Sequence, residues 1–169
     1  MTLTSTKTLE SLLEGTWIPT PEELSEVEAI LPEPPVALGS YVSAVRTEDD
    51  KLFTSGMLPM AQGALIAQGS LGDTITLEQA QRCARLCAIN LLALLKAQAG
   101  SLTKVKRIVK LVGFVSSTPT FYEQPKVING ASDLLVQVLG EAGKHARSAV
   151  GVPSLPLNAP VEIELLVAL

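Results

Sequence analysis

The chain has 169 residues, 47% of them hydrophobic and only 4% aromatic, and its 13 basic and 17 acidic side chains leave a net charge of −4. That length fits one domain with a sizeable aliphatic core, which excludes a disordered chain. A pI of about 5.0 offers no basic footprint for a phosphate backbone and so argues against a nucleic-acid partner. The surplus of Val, Leu and Ala is expected to be buried partly between subunits.

Residues 1–35 read as a leader. The first 20 residues carry one lysine and no hydrophobic run of the signal-peptide kind, and no stretch reaches the roughly 18 uncharged apolar residues of a membrane span, so a cytoplasmic protein without membrane contact is expected. Thr20 with Glu23 three residues on, Pro21 at the first helical position and acids in the first turn predict a short helix from about Pro21 to Ile30. The LPEPP run from Leu31 to Pro35 stops it. From Tyr41 the period becomes two: YVSAVRT, a turn at EDD, then KLFTSGMLP and GALIAQGSLG predict a small antiparallel meander. Thr76 and Gln79 make a second capping box, and apolar or small residues at positions 80, 83, 87, 91 and 94 predict a long helix ended by Gly100. Cys83 and Cys87 within it read as buried small side chains rather than metal ligands or a disulfide.

A long strand, VKRIVKLVGFVSS, comes next, and its alternation places Lys104, Lys106 and Lys110 on one solvated face. Thr120 with Glu123, and Pro125 just inside, open a second long helix through about Leu139. Gly130 in its middle costs about 1 kcal/mol against alanine and suggests a close packing approach. Two strands near residues 146–152 and 160–168 complete an α+β pattern, a sheet with helices on one face.

The chain has a single histidine, His145, with no nucleophile motif beside it, and it has no P-loop, G-x-G-x-x-G or zinc ligand set. No metal and no cofactor is implied, and any chemistry falls to carboxylates, arginine, hydroxyls, backbone groups and water. Arg147 shares its strand face with Ala149 and Gly151, too small to fill the space beside a guanidinium. Two readings stand open: a carboxylate ligand held by two parallel hydrogen bonds, or an internal pairing with Glu162 or Glu164. In the last strand Val161, Ile163, Leu165, Val167 and Leu169 form a core face. The other face mixes Glu162 and Glu164 with Leu166 and Ala168, unlike a plain solvated face.

HARSAVGVPSLPLNAPVEIELLVAL, with GSYVSAVR and LFTSGMLP upstream, resembles the YjgF/RidA family, also called endoribonuclease L-PSP or the UK-type translation inhibitors. The resemblance covers about residues 36–169, which sets the leader at 1–35 and the domain at 36–169. It rests most on Ala-Arg-Ser at 146–148 and Glu-Ile-Glu at 162–164, with fifteen residues from Arg147 to Glu162, and QPKVINGASDLL marks a subgroup. It implies a chorismate-mutase-like α+β fold and a homotrimer with helices outside, in which Glu162 and Glu164 face neighbouring subunits. It also implies hydrolysis of imines or enamines such as 2-aminoacrylate to a 2-keto acid and ammonia, so that the partner is a small carboxylate-bearing imine or keto acid. Carried over by position, Arg147 grips the substrate carboxylate and Glu162 positions or deprotonates the attacking water. Tyr41, the backbone around Ser55 and Gly56, Asn129 and Ala149 match cleft positions. This chain departs at Ala149, where the family often has cysteine, and at Ser132, where it often has tyrosine. Two other functions remain open: a non-catalytic carboxylate-binding trimer that regulates a partner, and RNA cleavage, suggested by the older family name.

Overall fold

The computed structural model describes residues 7–34, 36–37 and 39–169. Residues 1–6, Pro35 and Leu38 lie outside the described residues, and with them the end of the proline run. The leader opens with α1 (Leu9–Leu13), where the Thr8 hydroxyl accepts from the Ser11 amide and the Ser11 hydroxyl accepts from the Thr8 amide. Sequence reading misses this helix because the reciprocal partner is serine rather than Glu or Gln. The expected Thr20–Glu23 capping box forms over a 3-10 turn at Pro21–Glu23 that runs into α2 (Leu24–Ile30).

The period-two segment yields β1 (Ala44–Arg46) and β2 (Lys51–Thr54), and the meander stops there, short of expectation. Tyr41 precedes the first strand. A separate ribbon, β3 (Met60–Ala61) with β4 (Ala64–Leu65), forms its own two-stranded sheet among the described residues. Beyond it Gly69 stands at φ +127, which no strand continues through. Helix α3 (Leu77–Ala99) has its Thr76–Gln79 box and its Gly100 cap, as expected.

Lys104 lies in a 3-10 turn at Leu102–Lys104 rather than in a strand; β5 (Arg107–Ser116) starts later, and a bulge between Ile108 and Lys110 resets its alternation. The three lysines therefore do not share one strand face. Helix α4 (Gln124–Leu139) takes Pro125 into its first turn, but Thr120 does not cap it: the cap residue is Glu123, without a side-chain bond. The chain before it is still held beside Leu71, whose carbonyl accepts from the Thr118 amide, so the helix begins only after the chain has turned away. Strands β6 (Ala146–Val152) and β7 (Val161–Ala168) fall where the alternation places them.

Five strands form one sheet in the order β1-β2-β7-β5-β6, antiparallel throughout except for the parallel β5–β6 pair. Leu111 and Val115 of β5 and Val161, Ile163 and Val167 of β7 are fully buried on the face that carries the helices. Gly113 keeps that face flat, since a Cβ there would stand 2.5 Å from Cδ1 of Ile128 on α4. At Gly130 an added Cβ would lie 2.2 Å from the Gln81 carbonyl oxygen of α3, so the mid-helix glycine does mark a close backbone crossing.

The stripe at 80, 83, 87, 91 and 94 is buried, and so are Leu86, Ile89, Leu92 and Leu95, so α3 is enclosed on nearly every side. The leader covers what the stripe leaves outside. Leu12, Trp17 and Val27 belong to the same core, Arg85 Nε donates to the Leu12 carbonyl at 2.5 Å, and Arg82 pairs with Glu14. Each large side chain so buried is worth about 1.5–3 kcal/mol. Both cysteines are buried and free, and burial pushes the Cys83 thiol up to about 11. Among the described residues, no helix is long and apolar enough to cross a membrane.

Candidate functional site

Arg147 sits on the edge strand β6, paired with Leu111, and projects to the helix face beneath α4. Its Nη1 donates to Asn129 Oδ1 at 2.8 Å and to Ser132 Oγ at 3.2 Å, and its Nη2 donates to the Pro125 carbonyl at 3.3 Å. Residues 125, 129 and 132 lie four and three apart, one face of a helix. All three acceptors are neutral. None of the ion pairs among the described residues includes Arg147, so neither Glu162 nor Glu164 is its partner. The volume expected beside it is occupied: Ala149 packs against the core, and a Cβ at Gly151 would stand 2.7 Å from both Gln124 Nε2 and Ser117 Oγ. The small residues of β6 make room for α4, and the Arg147 side chain stays partly exposed.

Ser132 carries a second contact that sequence reasoning missed. Its Oγ is 2.9 Å from His145 Nε2, and His145 Nδ1 is 2.6 Å from the Gly143 carbonyl. The signal was thin, since Ser132 and His145 lie thirteen residues apart on different elements.

Glu162 projects from the other face. It stands opposite Phe114 on β7, half-buried beside Glu164, and burial first and the Glu164 charge second raise its carboxyl above the usual carboxylate range. Gly56, just past β2, makes this possible, because a Cβ there would lie 1.9 Å from Glu162 Oε1. Ser55 is a fastener: its hydroxyl donates to the Val42 carbonyl at 2.6 Å and its amide to the Ser43 carbonyl at 2.9 Å. That holds the segment after Tyr41 against the end of β2. Tyr41 and Gly56 line a cavity of about 580 Å³ whose far wall is the leader's Leu9 and Leu13. Asn90, on α3, closes its floor; it is buried and donates through Nδ2 to the Met60 carbonyl at 3.0 Å. A lone amide in the CAINLL run was the available sign of this contact. Among the described residues no group of three or more His, Cys, Asp or Glu is placed to hold a metal.

Two clusters therefore exist. Arg147, Asn129 and Ser132, with Ala149 beneath, occupy the β6–α4 edge; Glu162 meets Gly56 at the uncovered face, with Ser55 next to it, while Tyr41 shares with Gly56 the cavity walled by α1 and α3. Strand β5 lies between β6 and β7, and the register separates Arg147 and Glu162 by about 14 Å in the plane of the sheet, on opposite sides of it.

Residues 23–169 match the family profile described as "YjgF/chorismate_mutase-like, putative endoribonuclease". The chain is 44% identical over 140 residues to Protein TCP17 of Trypanosoma cruzi, covering 82% of this chain and 87% of that one. The crystal structure of Atu1372 from Agrobacterium tumefaciens is similar with a TM-score of 0.77 and 44% identity, over 94% of this chain and 92% of the other. Escherichia coli TdcF, solved with bound serine, is similar with a TM-score of 0.60 and 27% identity, over 81% and 94%. With the profile spanning sheet and helices alike, the chain belongs to the YjgF/RidA family.

Proposed function

We propose that the protein is a cofactor-independent hydrolase of small imines or enamines that carry a carboxylate, releasing ammonia and a 2-keto acid, and that its sites form between the subunits of a homotrimer. The observation that carries this reading is Arg147, a partly exposed residue whose guanidinium is held, among the described residues, by three neutral acceptors and no carboxylate. A bound carboxylate supplies the missing counter-charge in the two-pronged geometry that a guanidinium favours. The serine bound to TdcF is a carboxylate-bearing molecule of the size this reading needs.

The chemistry asks for few groups. A protonated imine is electrophilic at carbon. Ionised Glu162 takes a proton from a water whose oxygen bonds to that carbon, and returns the proton to the nitrogen of the carbinolamine. The C–N bond then breaks, ammonia departs, and the hydroxyl loses its proton as the keto group forms. A carboxylate with raised proton affinity suits the first of these transfers.

Because Arg147 and Glu162 of one chain project from opposite faces, one small substrate reaches both only if they come from different copies. A head-to-tail ring, with the Arg147 edge of one subunit on the uncovered face of the next, achieves that and covers the exposed Val45, Phe53 and Val150. The same separation favours a second reading: a non-catalytic trimer that uses only the Arg147 half of the site to bind small carboxylates and so regulates a partner. For RNA cleavage, a net charge of −4 and a single histidine supply neither a phosphate track nor an acid–base pair.

The test is to generate 2-aminoacrylate in the presence of the purified protein, follow keto acid release, and sediment the same sample. Acceleration that vanishes in Arg147→Ala, in a trimer, is the expected result. Tight binding of 2-oxobutanoate with no turnover selects the binding protein, and a micromolar monomer removes the shared site.

A further inference from the structure

The geometry points to Ser132 and His145 as positioning residues that fix which edge of the Arg147 guanidinium meets the ligand. This inference rests on Arg147 being the carboxylate grip proposed above.

The hydrogen bonds of this cluster have a single possible direction when His145 is neutral. The Gly143 carbonyl can only accept, so His145 Nδ1, 2.6 Å away, must carry the proton, and Nε2 is left as an acceptor. Ser132 Oγ, 2.9 Å from Nε2, therefore donates to it. With its proton committed there, Ser132 turns a lone pair to Arg147 Nη1 at 3.2 Å. The chain runs Arg147 to Ser132 to His145 to the Gly143 carbonyl, each link polarising the next. Its far end is anchored, since Gly143 is buried and packs so closely on α4 that a Cβ would lie 2.2 Å from the Leu135 carbonyl oxygen.

Counting donors shows what this achieves. A guanidinium has five N–H groups. Asn129 and Ser132 take both on Nη1, and the Pro125 carbonyl takes one on Nη2. Among the described residues, Nε–H and the second N–H of Nη2 remain, the pair that forms a side-on fork for a carboxylate. Without the Ser132 link, Nη1 has a donor to spare and the plane is held only by the Asn129 contact and the longer Pro125 contact. His145 never touches the ligand in this arrangement; it acts through Ser132, whose hydroxyl would otherwise be free to rotate.

The experiment uses the full-length protein labelled with nitrogen-15, with the Arg147 guanidinium resonances assigned by their loss in Arg147→Lys, and 2-oxobutanoate as the probe ligand. Wild type should show slow rotation of the Arg147 Nη groups. Ser132→Ala and His145→Ala should each speed that rotation and weaken 2-oxobutanoate binding by about 3- to 10-fold, the scale of one hydrogen bond. The double variant should bind no worse than the weaker single variant, because both act in one chain. His145→Gln, whose side-chain oxygen can replace Nε2 as acceptor, should recover both readouts to within about two-fold of wild type. In turnover, KM should rise with kcat unchanged, since carboxylate binding is the same before and during the reaction. Folded alanine variants with wild-type Arg147 resonances, or a His145→Gln variant no better than His145→Ala, would overturn the inference. If wild type binds no keto acid, the carboxylate grip itself fails, while the rotation of the guanidinium still decides whether Ser132 and His145 hold it.

Discussion

On one side of the sheet Val161, Ile163 and Val167 are sealed under α3 and α4; on the other, residues of the same and adjoining strands remain open, with Phe53 at 47%, Val45 at 54% and Val150 at 44% exposure. Arg147 belongs to the first side and Glu162 to the second. The difference lies in how each polar group is accommodated. Arg147 enters a finished helix–strand contact, is fully hydrogen-bonded on Nη1, and among the described residues has no carboxylate partner. Glu162 stands on the open surface with no hydrogen-bond partner among the described residues, pressed into the gap that Gly56 leaves, with a second carboxylate beside it. On the proposed reading, the covered side holds an anion and the open side a proton.

The sharpest way to break that division is to disable one side at a time. Arg147→Ala should lower kcat/KM by about 10³-fold, the cost of a lost charge-assisted fork, and abolish keto acid binding in calorimetry. Glu162→Gln should lower kcat by about 10²-fold, the usual scale for a lost general base, yet keep keto acid binding within about two-fold. Co-expressing the two inactive proteins should then restore about a quarter of wild-type activity, the share of interfaces that pair an intact arginine with an intact glutamate in randomly mixed oligomers. No restoration would place both residues of each site in one chain.

Smaller effects refine the picture. Gly130→Ala gains helix propensity but drives a Cβ into the Gln81 carbonyl, so the melting temperature should fall by about 4–10 °C with ligand affinity untouched. Gly56→Ala meets only the end of a flexible side chain; it should displace the Glu162 carboxylate and cost about 10-fold in kcat while the melting temperature moves little. A Gly56→Ala enzyme with normal kcat would show that Glu162 needs no such seat.

Glu164→Gln should give the mildest change. It removes the second cause of the raised Glu162 carboxyl, so the acid limb of the pH–rate profile should move to lower pH. The raised carboxyl also means that the native state holds this proton more tightly than the unfolded chain. Stability contributed at Glu162 therefore falls as pH rises from the ordinary carboxylate range through the raised value, and that fall should be smaller in Glu164→Gln.

The sequence made legible what is local. Two capping boxes, the Gly100 stop and the alternation of the last two strands all follow from neighbours within a few residues, and Gly130 announced a contact without naming Gln81 as its partner. Tertiary contacts decided the rest. Thr120 lost its capping role because the Thr118 amide is already committed to Leu71, and the bulge at Ile108–Lys110 is a register adjustment against β7. At the candidate site, Arg147 and Glu162 could be picked out, but their projection from opposite faces follows only from strand order. The Ser132–His145 contact was invisible because its members meet only when α4 lies over the start of β6.

Strand order also constrains synthesis. β7 is the last strand in chain order, yet it occupies the middle of the sheet, with β2 on one flank and β5 on the other. Until residues 161–168 leave the ribosome, the β1–β2 hairpin and the β5–β6 pair have no shared hydrogen bonds and expose unpaired edges to each other and to other chains. Closure then joins segments more than a hundred residues apart, as in the bond from the Leu165 amide to the Thr54 hydroxyl. Such distant pairing makes the assembly of this sheet slow and late, and it makes the nascent chain a client for whatever shields edge strands until β7 arrives.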